Sequence, residues 1–323
     1  MSNPLLPYCF VPQYKHVIWG GTRIGAFKGV DLGVHTHVGE SWELSGLEGH
    51  ESVVATGPEA GMPLSELIAR HGEWLVGRRV LERYGTRFPL LFKFIDARRD
   101  LSVQVHPGDE MARRLHGCMG KSEMWYVVDA EPGSHIAAGV TAGHDVASVA
   151  SLLRQRRVAE ALAIFDTRPG DVFDLPAGSL HMIGAGNLIA EVQQASDITY
   201  RVWDYDRVDA DGRRRELHTE LALEAFRPER GGRLSPREVS PGVSPLVNNS
   251  AFAVTLLNVE GSLRLDMADD ACRVLMTLDA PATLMLDGGV EVEMGRGQTW
   301  LVPAAARVMQ LSGTARLLCT APC

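Results

Sequence analysis

Cysteine is scarce: of 323 residues only Cys9, Cys118, Cys272, Cys319 and Cys323 are thiols, and no two form a CxxC pair. An odd, scattered set does not make a disulfide framework or a thiolate zinc finger, and it suits a reducing cytoplasm, the expected compartment. Basic charge is not in excess, with 32 Lys+Arg against 40 Asp+Glu and a net charge of −8. A nucleic-acid partner is therefore not expected, because little positive charge is available to neutralise phosphates. No apolar run approaches the ~18 residues of a membrane span. The opening MSNPLLPYCF lacks the basic stretch and apolar run of a signal peptide, so no membrane partner is expected. What the chain does hold is 45% hydrophobic and 22% charged residues, ordinary for a folded protein and enough for a real core.

The clearest boundary is PERGGRLSPREVSPGVSP, residues 228–245, with four prolines and three glycines. Such a stretch reads as a connector. The expected organisation is a first domain over 1–230, a linker over 231–245, and a smaller β domain over 246–323. Apolar spacing predicts helical segments over 64–84, with a break near Gly72 or Gly77, over 146–165 and over 216–226. The charges of Arg154–Arg157 read as a solvated helix face. Most of the remainder, including FPLLFKFIDA, LSVQVHP, MWYVVDA, GDVFDLPAG, NLIAEVQQ and QTWLVPA, reads as short strands between turn residues. Many short strands without regular intervening helices favour a sandwich or barrel, a mainly β fold.

Three segments carry candidate chemistry. In Ser102-Val-Gln104-Val-His106-Pro107, residues two apart on a strand share a face, so Ser102, Gln104 and His106 project together. Polar groups facing into a small barrel are costly unless they bind something. Gly170 to His181 (GDVFDLPAGSLH) matches the second cupin motif, G-x5-P-x-G-x2-H, in which proline and glycine turn the histidine into the barrel. The motif's final Asn would fall on Ala185, with Asn187 close by. Glu123 in GKSEMW reads, by itself, as a solvated strand-edge carboxylate. His35-x-His37 with Glu40 imitates the first cupin motif, but Glu40 falls one residue early and the histidines sit in a Gly-rich connection, so they are not favoured as ligands. Near the end, Gly297-x5-Pro303 echoes Gly170-x5-Pro176 but has Val308 at the histidine position, so a second, metal-free β unit is expected.

Taken together, VIWGGTRI (17–24), GESWELS (39–45), FPLLFKFIDARRDLSVQVHPGDE (88–110), GKSEMWYVVDAE (120–131), PGDVFDLPAGSLHMIGAG (169–186) and AEVQQASDITYRVWDYDR (190–207) resemble the zinc-dependent type I mannose-6-phosphate isomerase family, in its short bacterial form. The resemblance implies cupin-like jelly-roll barrels and one Zn²⁺ per chain, held by Gln104, His106, Glu123 and His181. It implies interconversion of D-mannose 6-phosphate and D-fructose 6-phosphate through an enediol. It places an active-site Arg at Arg201 and an acidic residue at Glu191, with Lys121 as a competing acid/base, and puts Lys93, Ser102 and Arg207 around the substrate. Two imidazoles, a carboxylate and an amide oxygen suit a catalytic rather than a structural zinc site. Trp19, Trp42 and Trp125 read as core aromatics. The expected partner is a phosphorylated hexose and the expected state a monomer. Two alternatives remain: a metal-bearing cupin that binds or senses sugar phosphates without turnover, and an isomerase for another sugar phosphate.

Overall fold

The structure, a computed structural model, describes residues 6–33, 37–208, 212–234, 240–267 and 270–323. Three antiparallel sheets dominate it. A seven-stranded sheet runs, in spatial order, through Gly232–Leu234, Val172–Leu175, Glu123–Ala130, Asn187–Gln194, Leu90–Ala97, Gln13–Gly21 and Val38–Ser45. A five-stranded sheet runs through Tyr200–Trp203, Val103–Val105, His181–Ile183, His135–Val140 and Leu162–Asp166. An eight-stranded sheet gathers the strands between Gly242 and Pro322, with Tyr8–Cys9 at one edge.

The period-2 alternation of side chains decides what lies between these sheets. Along Leu90–Ala97, Phe92 and Phe94 enter a core shared with Val254, Leu256, Val274 and Leu318 of the eight-stranded sheet. Ile95 and Ala97 face the other way, into a second core with Ile136, Ala138 and Ile183 of the five-stranded sheet. The seven- and five-stranded sheets thus close on each other as a barrel. The outer face of the five-stranded sheet buries Val103, Val105, Leu180 and Tyr200 against Val149, Ala222 and Phe226.

Some expected elements differ. The segment 64–84 is three helices, Leu64–His71, Glu73–Val76 and Arg78–Tyr84, separated at Gly72 and Gly77 with φ of 52° and 87°. The expected helix over 146–165 stops early. Val146–Arg154 is helical and opens with an Asp145–Ser148 capping box, but Arg156 takes φ 58° and Leu162–Asp166 is a strand. In that strand Leu162 is buried while Ile164 is exposed, and pairing with His135–Val140 outweighs helical periodicity. The third helix is Thr219–Ala225. Within the Pro/Gly-rich stretch, Gly232–Leu234 pairs with the barrel strand Val172–Leu175, and a strand begins at Gly242 and carries Pro245 on a sheet edge, where a missing donor is tolerated. Among the described residues no helix is long and apolar enough to cross a membrane.

The two glycine–proline echoes fold alike at first. Gly170 and Gly297 both take positive φ, 95° and 72°, and strands start at Val172 and Thr299. They then diverge. Gly178, at φ 95°, turns the chain where a Cβ would lie 2.9 Å from the Ala225 carbonyl oxygen, and His181 follows at the start of a strand.

Candidate active site

Cross-strand register assembles the polar groups inside the barrel. On the five-stranded sheet Gln104 stands opposite both His181 and Arg201, so these three form one row. On the seven-stranded sheet Glu191 stands opposite Lys93 on one side and Trp125 on the other, while Gln193 stands opposite Glu123. Met124 and Ala190 point to the outer core, which turns Glu123 and Glu191 inward. Each strand supplies apolar groups to one face and polar groups to the other.

His106, Glu123 and His181 converge, with ligand atoms within 4.8 Å of one another and each side chain buried. The two imidazoles are oriented from behind. Nδ1 of His106 is 2.8 Å from the Ile198 carbonyl and Nδ1 of His181 is 2.9 Å from the Ser179 carbonyl, so each Nδ1–H donates to backbone. That leaves both Nε2 atoms as acceptors beside Glu123, at 3.6 Å and 3.2 Å from its oxygens, with His106 Nε2 also accepting from the Lys121 ammonium at 3.2 Å. Gln104 completes the group with its amide 3.4 Å from His181 Nε2. Burial pushes the His181 imidazole down to about 4, and burial with the Lys121 charge pushes His106 well below its usual range, so both are neutral at pH 7. Burial raises the Glu123 carboxyl even with the Lys121 ammonium 3.3 Å away, and neither carboxylate oxygen accepts a well-formed hydrogen bond.

Beside this group lies a charged chain. Lys93 is 3.0 Å from Glu191, which also accepts a hydrogen bond from Trp125 Nε1 at 2.7 Å. Burial opposes both charges of the pair. Glu191 and Glu40 outweigh it at Lys93 and hold the ammonium above the usual range; Lys93 and Lys121 outweigh it at Glu191 and hold the carboxyl below. Arg201 donates through Nε to Ser102 Oγ at 3.1 Å, and Ser102 in turn donates to Gln104 at 3.2 Å.

A cavity of about 170 Å³ opens here, walled in part by Lys93, Ser102, Gln104, Lys121, Glu191 and Arg201. The structure therefore brings together every site residue expected from the sequence except Arg207. That guanidinium is tied to Asp204 and to the Asp100 carbonyl, and does not line the cavity. The wall also contains Glu40, Asp197 and Arg215, none of which the sequence pointed to as substrate contacts. Trp19, Trp42 and Trp125 are buried, as expected of core aromatics, although Trp19 and Trp125 also border the cavity. His37 is exposed and points towards Arg98; His35 lies outside the described residues.

A family model described as "Phosphomannose isomerase type I, catalytic domain" matches residues 9–141. Mannose-6-phosphate isomerase ManA of Bacillus subtilis (strain 168) is 35% identical over 317 residues, covering 97% of this chain and 98% of that protein. The mannose-6-phosphate isomerase of Streptococcus mutans is 33% identical over 325 residues, covering 98% of each. The crystal structure of the mannose 6-phosphate isomerase from B. subtilis superposes with a TM-score of 0.82 at 28% identity, covering 97% of this chain and 99% of that one. The mainly β, cupin-like architecture expected from the sequence is borne out along the whole chain.

Proposed function

The chain belongs to the type I phosphomannose isomerases, and from that premise we propose that it interconverts D-mannose 6-phosphate and D-fructose 6-phosphate, with zinc held by Gln104, His106, Glu123 and His181. The observation that carries the metal assignment is the buried Glu123 carboxylate, without a well-formed hydrogen bond, between two imidazole Nε2 atoms whose Nδ1–H groups are already committed to backbone. The Lys121 ammonium, 3.3 Å away, is the one cation beside it among the described residues, and a bound metal ion would satisfy this desolvated acceptor. The donor set is nitrogen and oxygen, with one anionic ligand, so a zinc ion held there would keep net positive charge and would supply Lewis-acid polarisation to the substrate.

The remaining work falls to the chain's own groups. A proton must leave C2 of the open-chain aldose and reach C1, and negative charge develops on oxygen in between. Glu191, kept ionised by Lys93 and fixed by Trp125, is the base for that transfer or for opening the sugar ring. Lys121, in the wall beside His106 and Glu123, donates towards the developing oxyanion. Arg201 remains a cation at working pH and stabilises the same charge, with Ser102 holding its Nε. Lys93 and Glu191 cancel most of each other's charge, so Lys93 serves to hold Glu191 as much as to meet substrate.

The test is turnover. Purified protein is expected to isomerise mannose 6-phosphate, to lose activity after dialysis against EDTA, and to regain it with added Zn²⁺. A stoichiometrically metallated protein with no turnover on that substrate would overturn the assignment. A panel of other hexose 6-phosphates reads out substrate preference.

A further inference from the structure

The three segments that carry His106, Glu123 and His181 also meet behind the cavity wall. Asp109 follows His106 by three residues, Ser122 precedes Glu123, and Ala177 lies in the turn that leads to His181. Their links converge on Gln194, a buried side chain one residue beyond Gln193. Gln194 Oε1 accepts from the Ser122 backbone N–H at 2.8 Å, and its Nε2 donates to Asp109 Oδ1 at 3.0 Å. The same Asp109 oxygen accepts from the Gly120 backbone N–H at 2.8 Å. The Gln194 backbone N–H donates to the Ser122 carbonyl at 3.1 Å, the Lys121 N–H to the Pro107 carbonyl at 3.0 Å, and the Ala177 N–H to Ser122 Oγ at 3.1 Å. The Gln194 amide has one workable orientation, since the reverse sets its oxygen against the Asp109 carboxylate and its NH2 against the Ser122 N–H.

We propose that Gln194 and Asp109 are positioning residues for the isomerisation, which clamp the segment 120–122 and so hold the Lys121 ammonium at the oxygen where charge develops. This rests on the isomerase reading above and names the groups that set Lys121 in place. Neither Gln194 nor Asp109 lines the cavity, so their action runs through Lys121, which does. Residues 119–122 belong to no helix or strand, and the ladder begins only at Glu123, so the placement of this segment depends on the bonds just described. Inside the cavity the ammonium lies 3.2 Å from His106 Nε2 and 3.3 Å from Glu123. Both partners are proposed metal ligands, so with zinc bound the placement of Lys121 falls to the backbone of residues 120–122.

Gly120 shows how closely the clamp closes. A Cβ there would lie 2.6 Å from the Asp109 backbone nitrogen and 2.9 Å from the Pro107 carbonyl oxygen, so only glycine lets the two segments approach. A displaced segment carries Lys121 with it, and a misplacement of about 1 Å among reacting groups costs on the order of 100-fold in rate. Glu123 is better insulated, because it pairs with Leu175 on one side and Gln193 on the other within the seven-stranded sheet. Loss of the clamp therefore reaches Lys121 before it reaches the metal ligands.

The experiment compares zinc-loaded wild type, Gln194→Met, Asp109→Ala and Asp109→Asn by three measurements. These are steady-state isomerisation of mannose 6-phosphate, zinc affinity against a chromogenic chelator, and amide hydrogen exchange along the chain. Gln194→Met keeps the side-chain length and loses both polar ends. Its kcat is expected to fall by about tenfold or more, with KM and zinc affinity changing far less. Exchange over residues 117–122 quickens while that of the strand Glu123–Ala130 stays as it is. Asp109→Ala gives a smaller fall, since the Gln194–Ser122 bond survives, and Asp109→Asn, which keeps the acceptor oxygen, recovers most of it. Wild-type kcat in Gln194→Met, a loss of zinc affinity as large as the loss of kcat, or unchanged exchange over 117–122 would overturn the proposal. If Gln194→Met does not fold, the Asp109 variants decide: the proposal stands when Ala loses kcat and protection while Asn keeps them, and falls when the two behave alike. Faster exchange over 117–122 in Gln194→Met, beside a wild type that does not turn over mannose 6-phosphate, defeats the isomerase reading alone.

Discussion

Gln104 and His181 stand opposite each other across two antiparallel strands, with the amide nitrogen 3.4 Å from imidazole Nε2. A half-turn of the amide about its terminal torsion puts Oε1 at the same place, where it becomes an acceptor aimed between His181 and Glu123. Gln104→Ala is therefore expected to weaken zinc binding by more than the roughly 10–100-fold typical of losing an outer-shell partner. Competition with a chromogenic chelator measures this directly. Unchanged affinity in the variant would remove Gln104 from the ligand set.

The Lys93–Glu191 pair offers a test of the base. Both side chains are nearly fully buried, and Lys93 is the main influence holding the Glu191 carboxyl low against burial. In Lys93→Met, burial acts on Glu191 with that cation gone, so its pKa rises. The acid limb of the kcat profile should move to higher pH by ~1–3 units, the usual size of a lost charge partner. If the limb stays in place while kcat is measurable, Glu191 is not the group that must be ionised.

How much of this site could be read in the sequence depended on whether direction was local. The face shared by Ser102, Gln104 and His106 follows from strand alternation alone, and the His181 turn follows from Pro176 and Gly178. Glu123 was different: its inward direction depends on its register beside the strand carrying Gln193 and Glu191, so by itself it read as a solvated carboxylate. Arg215 was illegible for a stronger reason. It sits in the run Arg213-Arg214-Arg215, and its approach to the cavity depends on Asp204, which a turn through two left-handed non-glycine residues presents. The strand Leu162–Asp166 was read as helix because the preceding apolar stripe continues in phase into it, and only its pairing partner distinguishes the two.

The two buried histidines predict how the metal-free protein responds to acid. In the unfolded chain both titrate near 6.5, whereas in the folded chain His181 is held down to about 4 and His106 well below its usual range. Folded-state pKa values are depressed for a base, so the unfolded state binds the extra protons and stability falls as pH drops from about 6.5 towards 4. Each proton contributes up to about 1.4 kcal/mol per pH unit. EDTA-treated protein should lose melting temperature steadily over that window, and His181→Asn should lose it less steeply. Parallel slopes for the two proteins would mean that His181 does not titrate in this way.

Lys28 and Glu43 form an ion pair 2.6 Å apart that is almost fully buried, at 4% and 3% exposure. The pair ties the helix Arg23–Lys28 to the strand Val38–Ser45, and Lys28 also donates to the Gly297 carbonyl, in the turn that leads into the strand Thr299–Val302 of the eight-stranded sheet. Arg296 reciprocates by donating to the carbonyls of Phe27 and Ala26 at 2.6 and 3.0 Å. Burial raises the Glu43 carboxyl, and Lys28 is the main influence opposing that rise. Removing the lysine alone leaves a desolvated acid, so Lys28→Met is expected to cost ~3–5 kcal/mol in urea unfolding. The double variant Lys28→Met with Glu43→Met removes both charges and should recover much of that loss, because apolar replacements of a buried pair are often neutral. A single variant within about 1 kcal/mol of wild type would place the pair among contacts of little energetic weight. Equal losses in the single and double variants would instead assign the cost to packing of the Lys28 stem and to its bond with Gly297, not to the orphaned carboxylate.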